Sequence, residues 1–187
     1  MLLMEAADFG AESEILHDLI DTAAPADWAR PTGFKGWTVR DVIAHLHFWN
    51  RAADLSVHDA DAVQALFARV AEGRKAGRLR AAEDMILEAD APRMEGRDLA
   101  EHWIQLARDI AGRWTHADPK ARVAWAGPSM SVRSSITARY METWAHGQEI
   151  FDLFGETRTD TDRIRNIVVL GVSPPRPLNP PYRAHAR

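Results

Sequence analysis

The chain has 187 residues, 46% of them apolar, and a net charge of −4 spread over interspersed acids and bases. That length suits one domain with a full core, and the balance lacks the basic face that a nucleic-acid partner needs. The sequence holds no cysteine, which excludes structural disulfides, thiolate zinc sites and a cysteine nucleophile of the chain's own.

The pattern is helical almost throughout. Residues 7–23 place Ile15, Leu16, Leu19 and Ile20 on one stripe and predict a first helix, ended by Ala24-Pro25. Residues 26–37 read as a connection punctuated by Pro31, Gly33 and Gly36. Thr38-Val39-Arg40-Asp41 predicts a helix start, with Thr38 as cap and Asp41 three residues on, a variant of the capping box. Val39, Val42, Ile43, Leu46, Trp49 and Ala53 then form an apolar face that runs to about Leu55. Residues 59–88 predict two helices with a weak joint across the charged, glycine-bearing stretch 72–80. Pro92 breaks the pattern, and Asp98 is expected to cap a long helix carrying Leu99, Trp103, Leu106, Ile110 and Trp114. Residues 116–130 form a loop around Pro119 and Gly127-Pro128, with a short extended piece at 122–125. Ser131 or Ser134 opens the last long helix, which runs to about Phe154 and stops at Gly155. Residues 164–170 predict one more helix. The expected fold is all-α: a four-helix bundle of antiparallel main helices with short extra ones over residues 1–172. The stretch 173–187, with five prolines and three arginines, is expected to be a disordered tail. No apolar run nears the roughly eighteen residues of a membrane span, and the N-terminus lacks a secretory pattern, so the cytoplasm is the expected compartment.

Chemistry concentrates in Met141-Glu142-Thr143-Trp144-Ala145-His146-Gly147-Gln148-Glu149. Glu142 and His146 stand just over one helical turn apart, so both side chains leave the same face. On another helix His45 lies on the apolar side, between Val42 and Trp49. Two readings stand at this point. His45 is a satisfied core histidine and Glu142 pairs with Arg139 one turn back; or three donors of a His₂Glu set meet at one ion and leave a coordination position open. His47 points away from His45, His17, His58, His102 and His116 are expected to be solvated, and His185 belongs to the tail. Neither a strand-turn-helix nucleophile elbow nor a phosphate-binding glycine loop is present.

Gly36-Trp37-Thr38-Val39-Arg40-Asp41-Val42-Ile43-Ala44-His45-Leu46 resembles the first motif of the mycothiol-dependent maleylpyruvate isomerase family, within the DinB-like group of metal-binding four-helix bundles. Arg139-Tyr140-Met141-Glu142-Thr143-Trp144-Ala145-His146-Gly147-Gln148-Glu149 resembles its second, and the likeness covers about residues 11–171. The resemblance implies that His45, Glu142 and His146 are ligands of a divalent metal, usually zinc, and that mycothiol is the co-substrate. Glu149 matches a carboxylate position of the family and is expected either to orient His146 or to be a plain exposed acid. Full-length isomerases of the family carry a smaller α/β domain after the bundle. Ser173-Pro174-Pro175-Arg176-Pro177 does not continue in that way, so the sequence does not name the substrate.

The expected activity is transfer or isomerisation through a small thiol and an electrophilic substrate, the ion lowering the thiol's pKa. Trp49 and Trp144 are candidate apolar walls or core residues, and Arg139 would attract an anionic substrate or pair with Glu142. Alternatives are metal-dependent hydrolysis and a non-catalytic metal-binding bundle, and the resemblance also implies self-association into a homodimer. Two imidazoles and a carboxylate suit zinc, although nickel, iron and manganese take the same donors.

Overall fold

The computed structural model describes residues 2–90, 93–159 and 161–172. Seven helices occur among them: α1 (Met4–Asp21), α2 (Val39–His58), α3 (Ala60–Lys75), α4 (Leu79–Asp90), α5 (Gly96–Trp114), α6 (Val132–Phe154) and α7 (Arg165–Val172). Short 3₁₀ turns at Pro25–Ala29 and Asp162–Ile164 join them, with two two-residue strands, β1 (Arg122–Val123) and β2 (Met130–Ser131), paired antiparallel. The all-α expectation holds. The expected tail and the Pro92 break lie outside the described residues. Among the described residues no helix is long and apolar enough to cross a membrane.

Helix ends follow local chemistry. Thr38 caps α2 by accepting from the Asp41 backbone N–H (3.1 Å), while the Asp41 carboxylate accepts from the Thr38 N–H (3.0 Å). Ser131, not Ser134, caps α6, accepting from the Ser134 N–H at 3.1 Å. Gly155 closes α6 at φ 73°, a left-handed conformation that a side chain would oppose. One predicted cap is wrong. Helix α5 begins at Gly96 (φ 53°), so Asp98 sits inside the first turn, where its charge meets the positive end of the helix.

Helices α1, α2, α5 and α6 form the bundle: α1 packs on α5 and α6, and α2 packs on the same two from the other side. Their apolar stripes close the core, with Phe9, Phe48, Trp103 and Tyr140 buried. Each large apolar side chain so buried stabilises the fold by roughly 1.5–3 kcal/mol.

The expectation of antiparallel neighbours throughout is corrected by the side-chain contacts. The Leu3 N–H donates to Thr115 O (2.9 Å) and Arg97 pairs with Asp21 (2.6 Å), so α1 and α5 run antiparallel. Arg133 meets Glu5 (3.3 Å) and Gly147 lies against Leu16, so α1 and α6 run parallel. Arg40 faces Glu95 (3.6 Å) and Arg113 bonds Asp54 (2.5 Å), so α2 and α5 are parallel too. The physical reason is the connection. A short turn after α2 would reverse the chain, but the α3–α4 pair carries it back to the end where α2 began. That excursion lays α4 across α2, and the β1–β2 connection brings Trp125 against Trp49 and Phe67, with ring centroids 5.4 Å from each.

Candidate metal centre

Antiparallel packing of α2 on α6 brings His45 opposite Glu142 and His146. His45 Nε2 stands 3.6 Å from Glu142 Oε2, and His146 Nε2 stands 3.2 Å from that same oxygen. One donor atom from each of the three residues lies within 4.8 Å of the others. The set is two imidazole nitrogens and one carboxylate oxygen, the donor chemistry of a three-ligand divalent site with a position left open. The three donors therefore fit a divalent ion. His45 is buried, while His146 and Glu142 are partly exposed, which leaves one side of the cluster reachable.

A second acid, absent from the sequence reading, sits behind His45. Glu83 on α4 is fully buried and places both oxygens 3.0 Å from His45 Nδ1. It also accepts from Trp49 Nε1 (2.9 Å) and from Arg80. An ionised carboxylate only accepts, so the proton between them belongs to Nδ1 and the Nε2 lone pair turns toward Glu142 and His146. That is how a buried carboxylate fixes the tautomer and aim of a metal-binding histidine. Asp84, next along α4, is held by Arg80 and by Arg40 of α2 (2.7 Å), which docks the acidic stretch of α4 onto α2.

Charge in the cluster follows from these contacts. Burial by itself would raise the Glu142 carboxyl. The His146 and His45 rings against it, with the Arg139 charge nearby, hold it well below the usual carboxylate range. Burial would lower His45, but Glu142 and Glu83 together raise it above its ordinary value.

The walls differ from those expected. Thr32 N–H donates to Trp37 O (2.7 Å), and Lys35 (φ 54°) and Gly36 (φ 70°) turn the chain tightly between them. The turn sets Phe34 edge-on to His146 (4.9 Å between centroids) and stacks Trp37 on it (5.9 Å, 12° between planes). Trp49 does lie at the centre through Glu83. Trp144 does not: two residues from Glu142, it faces the other way and packs under the Arg158 guanidinium at 5.1 Å. Among the described residues no hydrogen bond joins Glu149 to His146, and the Glu149 carboxylate lies against Gly33 instead. Arg139 is buried against the paired indoles of Trp49 and Trp125, 5.7 Å from each ring centroid, and makes no hydrogen bond to Glu142. Of the other histidines, His58, His102 and His116 are exposed as expected, whereas His17 is mostly covered and lies 3.7 Å from Glu101, because α1 and α5 pack closely there. His47 points away from the cluster into a buried position.

Comparison with known protein families matches residues 9–151 to the mycothiol maleylpyruvate isomerase N-terminal domain. Two uncharacterised proteins, from two strains of Mycobacterium tuberculosis, are each 38% identical to this chain over 168 residues. The aligned stretch covers 89% of this chain but only 62% of those relatives' length. No solved structure gives a significant match.

Proposed function

Because this chain belongs to the mycothiol maleylpyruvate isomerase N-terminal domain family, we propose that it binds a divalent ion, zinc first among them, through His45, Glu142 and His146, and acts in the cytoplasm as a thiol-dependent S-transferase or isomerase. The observation that carries this reading is the convergence of three donors on the open side of a bundle, with Glu83 fixing the aim of one. An ion held there would lower the pKa of an incoming thiol toward neutrality. The chain has no cysteine, so the thiol is brought in, and the family's name points to mycothiol. In conjugation the sulfur bonds to an electrophilic carbon of the substrate and the thiol proton passes to the adjacent carbon. In isomerisation the same bond later breaks and the thiol leaves unchanged. His45 and His146 supply neutral nitrogen donors and Glu142 the charge, while Phe34 and Trp37 keep water from one side of the His146 ring.

Elemental analysis of the purified protein, together with a thiol-transfer assay, tests the proposal. The protein should carry about one equivalent of ion. His146→Ala should lose both the ion and the activity. Unchanged metal stoichiometry in that variant refutes the ligand assignment. Turnover of an ester or amide without added thiol would replace thiol transfer by hydrolysis.

A further inference from the structure

Arg139 takes no part in holding an ion, yet it stands beside the donors. It is 3% exposed, and its Nε and Nη1 have no hydrogen-bond partner among the described residues. Indole faces lie near the guanidinium, with Trp49 and Trp125 centroids each 5.7 Å from its central carbon. Aromatic faces stabilise a cation but do not satisfy the N–H bonds along its edge. Burial pulls the group down only to about 10, so it stays charged at neutral pH. The carboxylates whose charge reaches it are Glu142 and Glu83. Both are committed elsewhere: Glu142 to His45 and His146, Glu83 to His45, Trp49 and Arg80. Arg139 precedes Glu142 by three residues on α6, so it shares that face, one turn toward the helix start.

We propose that Arg139 is the carboxylate-recognition residue of this centre, taking a small carboxylate-bearing ligand through its N–H fork while Trp49 and Trp125 pack together on one side of the guanidinium. The ligand's other end then lies toward His45, Glu142 and His146. What that ligand undergoes rests on the metal-and-thiol reading, whereas its binding to Arg139 does not. A planar fork suits a two-pronged carboxylate pair, which a lysine ammonium cannot make. Trp125 is partly exposed and rides on the connection between β1 and β2, tied by the Gln64 side chain to its carbonyl (3.4 Å). The indole cover of the guanidinium is therefore shared between Trp125 of this loop and Trp49 of α2, whose ring centroids lie 5.4 Å apart.

The test titrates the full chain with succinate, and with uncharged succinamide, following tryptophan fluorescence and heat. Each titration is run with and without one equivalent of zinc, and metal content is measured on every sample. Wild type should bind succinate saturably and ignore succinamide. Arg139→Gln should weaken succinate at least tenfold while keeping wild-type zinc stoichiometry, and Arg139→Lys should recover only part of the loss. Equal succinate affinity in wild type and Arg139→Gln overturns the proposal, as does a wild type that binds no succinate in either state. If circular dichroism shows Arg139→Gln unfolded, Arg139→Lys decides: full wild-type affinity there overturns the fork. A wild type that takes no zinc but still binds succinate through Arg139 removes the metal reading and leaves this one standing.

Discussion

Replacing Glu83 by Gln tests whether the centre depends on a residue that never touches the ion. The side chain is 0% exposed and accepts from three groups: His45 Nδ1, Trp49 Nε1 and Arg80. Gln keeps the shape but offers one carbonyl oxygen and one amide NH₂, so at least one of those donors meets another donor. His45 also loses the charge that makes its Nε2 a stronger base. Such supports behind metal-binding histidines are worth about ten- to hundredfold in metal affinity, which is about 1.4–2.8 kcal/mol. Glu83→Ala goes further, leaving the Arg80 guanidinium, 13% exposed, without this partner. Its folding cost should be near the low end of the roughly 3–5 kcal/mol of a broken buried pair, since Asp84 still holds Arg80. The assay is competition for zinc against a chromophoric chelator, with urea unfolding of the metal-free protein in parallel. Zinc affinity within twofold of wild type in Glu83→Gln, with the fold intact, would refute the claim that Glu83 aims His45.

Three further outcomes follow from the packing. Burial, then the charges of Arg51 and His102, hold His47 at about 4. The unfolded chain takes that proton near pH 6.5 and the folded chain only near 4. This contribution is therefore complete above about pH 6.5 and is lost as the pH falls to 4, about 3 kcal/mol in all. Urea midpoints of metal-free His47→Leu should be flatter with pH across that window than those of wild type, and parallel curves would remove His47 as the cause. Gly155→Ala forces a side chain into φ 73° and should cost about 1–2 kcal/mol in denaturant unfolding; an unchanged midpoint would mean that α6 can end elsewhere. Arg158→Met strands Glu12, 3% exposed, without its cation and should cost about 3–5 kcal/mol, with a wild-type melting curve as the contrary result.

What the sequence disclosed was local. The Thr38–Asp41 cap, the Gly155 stop and the shared face of Glu142 and His146 all depend on residues within about one turn of each other, and each is written in the spacing, which also narrowed the α6 start to Ser131 or Ser134. His45 needed more, since nothing in its helix says which partner it meets; the order of two family motifs supplied that. Glu83 was hidden because no spacing within its own helix ties it to His45, and only the docking of α4 across α2 buries it. Helix direction was hidden for a related reason. An apolar stripe fixes which face is buried, not which way the rod points, and the α3–α4 return makes α2 and α5 parallel.

Helix α4 and the extended piece near 122–125 were expected as elements, and what the sequence hid is where they dock, one behind His45 and the other against Arg139. Helix α4 brings the carboxylate that aims His45, and the β1–β2 connection brings the indole that covers Arg139. The bundle thus supplies the donor triangle, and the excursions supply its basicity and its cover. It follows that a chain with His45, Glu142 and His146 in place but no acid at position 83 would hold its ion through an imidazole free to change tautomer, with weaker affinity and the same motif. Exchanging residues 79–88 between relatives that share the triangle should therefore move metal affinity, while exchanging residues 124–129 should move ligand choice. The separation of those two effects is what this arrangement of rods and loops requires.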